Sequence, residues 1–214
     1  MAQPFSAVDN LVKIPQPTIE RLSAYLQCVR AMRAEAVGTA SSSEIAARTG
    51  LNAAQFRKDL SYFGEFGKPG LGYNVAELEE HLSRLMGLDE ERDVLLVGVG
   101  HLGRALLSYM GFAQRGFRIA AGFDLEHQKI TDLPCPIYHP DEIEKVNKKI
   151  GARIGVMAVP RAAAQGVADK LVAAGVQAIL NFAPVAVVAP PGVVVRHVDF
   201  TSQLEILSYY LRPQ

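Results

Sequence analysis

The segment VLLVGVGHLGRALL, Val94 to Leu107, decides the fold. It opens on β-branched and leucine residues, as a strand buried on both faces does. It closes on Arg104-Ala-Leu-Leu, which favours a helix. Between them Gly98, Gly100 and Gly103 take the G-x-G-x-x-G spacing. In such a turn the first glycine makes the tight reversal and the second lets backbone approach a pyrophosphate. The third allows close packing of helix on strand. Gly98, Val99, Gly100, His101, Leu102 and Gly103 are therefore the candidate phosphate-binding residues. The spacing alone is a weak signal, and its context is what strengthens it: a strand before it and a helix expected to end near Gly116 after it.

A second strand, FRIAAGFD, ends in Asp124, 21 residues beyond Gly103. A carboxylate there accepts the adenosine ribose hydroxyls and repels a 2′-phosphate, so NAD is expected rather than NADP. Alternation continues with a strand at Arg153 to Val159, an alanine-rich helix from Arg161 to about Ala174, and a strand at Gln177 to Phe182. This predicts an α/β domain with a doubly wound, Rossmann-type parallel sheet. Ligands of such sheets sit at the carboxyl ends of strands, so the AVPR turn (Ala158 to Arg161) and the NFAP turn (Asn181 to Pro184) should flank the nicotinamide half. Pro160, Asn181 and Phe182 are candidate contacts, although a helix-start proline and a turn asparagine fit the first two equally well.

The N-terminal third reads differently. A first helix is expected from Thr18 to about Ala36, with Leu22, Tyr25, Leu26, Val29 and Met32 in one apolar stripe. Ser41 and Glu44 have capping-box spacing for a second helix that ends at Gly50, and Asn52 is a good N-cap for a third that runs to about Phe63. Helix, glycine turn and helix make a helix-turn-helix pattern. On the third helix Ala53, Phe56, Leu60 and Phe63 form the buried face. Ala54, Lys58, Ser61 and Tyr62 then point outward with Gln55 and Arg57 on the flanks, a set able to reach phosphates and base edges. GEFGKPGLGYN follows, with Lys68 where a hairpin tip would be, and reads as the wing of a winged helix. Val75 to about Leu88 resumes helical spacing through Val75, Leu78, Leu82 and Leu85 and closes this domain. A small helical bundle with a solvated charged face is the competing reading.

Composition sets limits. Net charge is zero, with 22 basic and 22 acidic residues in 214, so bulk electrostatics does not point to nucleic acid. Residues 1 to 72 hold eight basic and six acidic side chains, and DNA binding would have to rest on a few well-placed cations and fall steeply with salt. No apolar run approaches the roughly 20 residues of a membrane span, and the N-terminus lacks the pattern of a signal peptide. A cytoplasmic location without membrane contact is expected. Cys28 and Cys135 are expected to be structural thiols, and no metal site is expected.

An enzyme of this fold also needs a proton-transfer residue and a substrate domain. Only about 30 residues follow NFAP, and none of His101, His127, His139 and His197 has an orienting partner visible in the sequence. A regulator is expected. A small NAD-dependent oxidoreductase and a coenzyme A-binding module are the alternatives. The tail HVDFTSQLEILSYYLRPQ forms a last helix in which Phe200, Leu204, Leu207 and Leu211 share an apolar face widened by Ile206 and Tyr210, with Asp199 as N-cap. That face needs a partner, in its own domain or in a second subunit.

Taken in order, RKDLSYFGEFGKPGLGY, GVGHLGRAL, AVPR, LNFAP and VDF resemble the Rex family of redox-sensing transcriptional repressors, from about Ile14 to Tyr210. The resemblance implies a homodimer that reads a palindromic operator through winged helices, binds NADH more tightly than NAD⁺, swaps its C-terminal helix between subunits, and leaves DNA when NADH closes the dimer. It implies domains at 1–88 and 89–198 and a swapped helix at 199–214. It further implies that Arg57 and Lys58 meet the major groove, with Lys68 near the minor groove. Tyr109 would lie near the nicotinamide, and Phe200 would enter from the partner subunit. Asp199 matches an acid that pairs across the dimer with a first-helix arginine as part of the redox switch. Here that position is Gln27, which forms no ion pair, so Asp199 would turn to Arg30 or Tyr109, or the response is tuned differently.

Overall fold

A computed structural model describes residues 14–64, 66–67 and 71–212. The chain divides between Glu90 and Glu91 into two compact units.

In the first unit, α1 (Gln16–Ala34) buries Leu22, Tyr25, Leu26, Val29 and Met32, the stripe its spacing predicts. The helix α2 (Ser42–Thr49) starts from the expected capping box: the Ser41 hydroxyl accepts from the Glu44 N–H at 3.2 Å, and the Glu44 carboxylate accepts from the Ser41 N–H at 2.7 Å. Gly50, at φ 68°, ends it in the left-handed conformation. In α3 (Ala53–Ser61), Asn52 Oδ1 accepts from the Ala54 N–H at 2.7 Å, and Phe56 and Leu60 enter the core. The helix α4 (Val75–Leu85) closes the unit with Val75, Leu78 and Leu82. Two strands too short to read from sequence, β1 (Thr39–Ala40) and β2 (Tyr73–Asn74), pair antiparallel at the root of the glycine-rich segment. Gly72, at φ 80°, is required there, because a Cβ would lie 2.7 Å from the Ala40 carbonyl oxygen. Lys68, the expected wing tip, lies outside the described residues.

The second unit is a six-stranded parallel sheet whose strands lie side by side in the order β5 (Ile137–Tyr138), β4 (Phe117–Phe123), β3 (Arg92–Val97), β6 (Ile154–Met157), β7 (Ala178–Asn181) and β8 (Val194–His197). In chain order its elements are β3, α5 (His101–Leu107), β4, β5, α6 (Ile143–Ile150), β6, α7 (Ala164–Ala173), β7, β8 and α8 (Phe200–Tyr210). One sheet face packs Leu95, Val97, Phe123 and Met157 against residues of α6 and α7, and the other packs Val94, Leu96 and Val156 with Leu107 of α5. Burial on both faces explains why the strands read as continuous apolar runs.

Three features depart from expectation. The helix after the glycine turn stops at Leu107 instead of continuing toward Gly116, and a 3₁₀ turn at Ala113–Arg115 carries the chain onward. The edge strand β5 has two residues flanked by prolines at 136 and 140, too few for a periodic signal. The edge strand β8 and the helix α6 complete the sheet beyond the four strands read from sequence. The helix α8 buries none of its residues: Phe200, Leu204 and Leu207 are 61%, 64% and 58% exposed.

Candidate functional site

The strand β3 pairs with β4 on one side and β6 on the other, so the chain winds outward in both directions from this point, and a crevice opens at the strand ends. The glycine turn sits in that crevice. Gly98 has φ 91°, donates its N–H to the Phe123 carbonyl at 2.8 Å, and passes so close to β6 that a Cβ would lie 2.4 Å from the Ala158 carbonyl oxygen. Gly103 presses α5 onto the turn, where a Cβ would lie 2.0 Å from the Gly98 carbonyl oxygen. Gly100 is different: a Cβ built on it meets nothing within 4 Å. The first and third glycines are needed by the protein itself, and the second leaves open space of the kind an approaching phosphate requires. His101 and Leu102 are exposed beside it, whereas the Val99 side chain belongs to the core at 1% exposure and only its backbone faces the turn.

That backbone ties the turn to Asp124. The Val99 N–H donates to Asp124 Oδ2 at 2.8 Å, and the Glu126 N–H donates to Oδ1 at 2.9 Å. The carboxylate is thereby fixed at the carboxyl end of β4, and each oxygen keeps a lone pair able to accept a hydroxyl. Pro160 is exposed at the end of β6. Asn181 takes the turn-forming role: it is fully buried, donates to the Val185 carbonyl and accepts from the Ala183 N–H, both at 2.8 Å, so its side chain shapes the loop and does not face the groove. Phe182 is half-buried, with its ring 6.0 Å from that of Phe200. Tyr109 is 56% exposed, edge-on to Phe112 at 5.3 Å. Asp199 caps α8, accepting from the Thr201 and Ser202 N–H groups at 2.9 and 3.3 Å.

The second cluster lies on α3. Arg57, Lys58, Ser61 and Tyr62 are exposed, as their helical positions require. Arg57 donates to the Ser42 hydroxyl at 2.6 Å, which links α3 to the start of α2, and Ser61 donates to the Lys58 carbonyl at 2.7 Å. Gln55 departs from expectation: its amide donates to Asp59 at 2.8 Å and turns inward. In α1, Gln27 is exposed, and Arg30 contacts Ser83 at 3.3 Å and Glu79 at 3.5 Å.

Asp59 itself escaped the sequence reading. It is fully buried on the apolar face of α3 and accepts from Thr18 (3.1 Å), Arg21 (2.6 and 2.8 Å), Tyr25 (2.9 Å) and Gln55. Burial by itself opposes ionisation, but the hydrogen bonds from Arg21, Gln55, Tyr25 and Thr18 outweigh it and hold the carboxyl below its ordinary range. Burial and the bond to Asp59 push the Tyr25 hydroxyl up to about 12. The stabilisation from Asp59 is thus present at neutral pH and lost as pH falls through its lowered folded value, while that from Tyr25 is lost as pH rises from about 10 through about 12. The signal was the position itself: an acid three residues after Phe56 and four before Phe63 falls on the buried arc, where it needs a cation, and Arg21 adjoins the buried Leu22.

No helix among the described residues is long and apolar enough to cross a membrane, and no group of three or more His, Cys, Asp or Glu side chains is gathered there as a metal site.

Comparison with known proteins follows the two clusters. Residues 13–61 match the family described as "Putative DNA-binding protein N-terminus", and residues 89–185 match the family described as "CoA binding domain". The chain is 46% identical over 200 residues to the redox-sensing transcriptional repressor Rex of Streptomyces avermitilis, covering 92% of this chain and 79% of that one. It is equally identical over 200 residues to the Rex repressor of Desulfitobacterium hafniense, covering 92% and 95%. Among solved structures, RSP in complex with β-NAD⁺ and operator DNA superposes with a TM-score of 0.86 at 33% identity, covering 92% of each chain. The β-NADH complex of RSP, a Rex-family repressor, gives 0.81 at 32% identity, covering 92% of this chain and 94% of that one.

Proposed function

The chain belongs to the Rex family of redox-sensing transcriptional repressors, and from that premise we propose that it is a homodimer that holds operator DNA until NADH enters the glycine groove. The observation that carries the reading is the presence, in one chain, of an outward cationic face on α3 and a groove with space reserved at Gly100.

NAD(H) fits the groove residue by residue. Gly98, Gly100 and Gly103, with the backbone at His101 and Leu102, would hold the pyrophosphate, and Asp124 would accept the ribose hydroxyls. Pro160, Phe182 and Tyr109 would line the nicotinamide end, joined by Phe200 from the tail of a second copy. Oxidised and reduced forms share the adenosine and pyrophosphate contacts, so redox discrimination falls to the nicotinamide-facing residues. NADH must favour the DNA-free arrangement by about 1 to 3 kcal/mol to change operator affinity roughly 5- to 150-fold. On the DNA side, Arg57, Lys58, Ser61 and Tyr62 would face the major groove, with Lys68 near the minor groove.

The bare face of α8 supports a tail that crosses between subunits. Segments 1–88, 89–198 and 199–214 then act as reader, sensor and dimer strap. Deleting residues 199–214 should turn a tight dimer into monomers on sedimentation, and an unchanged dimer would contradict the strap. A regulatory role in the cytoplasm, rather than turnover of a substrate, is supported by the redox-sensing repressors that the chain resembles along most of its length.

The test is operator binding by fluorescence anisotropy with NADH, NAD⁺ and coenzyme A added separately. NADH should release the operator at concentrations where NAD⁺ does not. An operator affinity indifferent to NADH would refute the sensor, and release by coenzyme A alone would reassign the groove.

A further inference from the structure

We infer that Asp59 is the positioning residue of the recognition helix: its buried carboxylate fixes the rotation of α3 against α1 and thereby fixes where Arg57 and Lys58 point. The inference rests on the operator-binding reading above.

Three of its four partner residues, Thr18, Arg21 and Tyr25, lie on one face of α1. Arg21 uses two nitrogens on the two carboxylate oxygens, at 2.6 and 2.8 Å. A two-pronged bond of this kind is satisfied over a narrow range of angles. Phe56 and Leu60, packed on the same side, make apolar contacts, which tolerate small shifts more readily. The directional constraint of α3 against α1 therefore comes from the carboxylate, while the Arg57 bond to Ser42 ties α3 to α2. Lys58 and Arg57 precede Asp59 by one and two residues, about 100° and 200° around the helix, so an inward Asp59 turns both cations outward. The same carboxylate draws Gln55 inward, which leaves the outward face to cations and hydroxyls.

The choice of an ionised group has a physical rationale. A buried ion pair is rarely more stabilising than well-packed apolar residues of the same volume, whereas it can select one arrangement among several. Were stability the only requirement, apolar residues at positions 18, 21, 25 and 59 together would serve. The carboxylate instead joins the helix expected to read DNA to the helix on which it rests.

The experiment uses the full-length protein as wild type, Asp59→Asn, Arg21→Lys, and the double variant Arg21→Met with Asp59→Leu. Each is measured for melting temperature, for operator affinity and for affinity to a scrambled duplex. Asp59→Asn and Arg21→Lys should weaken operator binding by about tenfold or more and scrambled-duplex binding by less than about threefold, so the discrimination ratio shrinks. The double variant removes the ion pair as a unit but leaves the buried Thr18 and Tyr25 hydroxyls without their acceptor, so it should melt below the wild-type temperature and still discriminate poorly. A loss of folded protein lowers both affinities alike and leaves their ratio unchanged. Unchanged ratios in the single variants would overturn the inference, as would recovery of operator discrimination in the double variant. Arg21→Lys keeps the charge and removes only the fork, so it decides the matter if Asp59→Asn does not fold. A wild-type protein that failed to distinguish operator from scrambled DNA would instead overturn the operator reading itself.

Discussion

The glycine turn and the recognition helix are built by opposite means. The turn works where side chains are absent: Gly98 and Gly103 have no room for a Cβ, and Gly100 keeps open the space a ligand would enter. The helix works through side chains, with Arg57, Lys58, Ser61 and Tyr62 outside and Asp59 inside. Substitutions in the turn should therefore act sterically and close to all-or-none, whereas substitutions on the outer face of the helix should act in graded, salt-dependent steps.

The largest effect belongs to Gly103→Ala. A Cβ 2.0 Å from the Gly98 carbonyl forces α5 off the turn, and the nucleotide domain should lose about 4 kcal/mol of stability together with NADH binding, read by calorimetry and thermal melting. Gly100→Ala is the sharper half of the contrast. Its Cβ meets nothing in the protein, so the melting temperature should hold while NADH affinity falls by about a hundredfold, or about 2.7 kcal/mol. A variant that bound NADH normally would show that the open space at Gly100 is not where the ligand lies. The smallest effect is expected from Lys58→Ala. Operator affinity should fall by about 1 kcal/mol, with the slope of log affinity against log salt shallower by about one, and NADH affinity should not move. An all-or-none loss there would break the comparison.

Sequence legibility followed the same division. The turn could be read because its glycines answer to steric needs that any chain shares, and Asp124 because the distance from turn to second strand end is set by the βαβ unit. The outward face of α3 could be read from helical periodicity, and Phe56 and Leu60 are buried where that periodicity puts them. What escaped was pairing at a distance. Asp59 falls on the buried arc of α3, but only the packing of α1 on α3 shows that Thr18, Arg21 and Tyr25 supply its donors and that Gln55, one turn earlier on α3, turns inward to the same carboxylate. Asn181 fits a turn former and a ligand contact equally well in the sequence, and its two loop bonds, to residues two and four positions away, form through a backbone bend that composition does not specify. The early stop of α5 at Leu107 falls just before Gly111, a poor helix former that is the sequence signal for it, whereas β5 is hidden by its length of two. In α1 and α8 the same apolar spacing has opposite outcomes: one stripe is buried within its own unit and the other is bare, and spacing alone reports only that a partner is needed.

The central claim is that groove and reader are coupled, and thermodynamic reciprocity tests it directly. NADH affinity should be measured by calorimetry on the free protein and on the protein saturated with operator. If NADH weakens operator binding by some factor, operator must weaken NADH binding by that same factor, expected between about 5- and 150-fold. An NADH affinity identical with and without operator would contradict the account, however tightly each ligand binds alone.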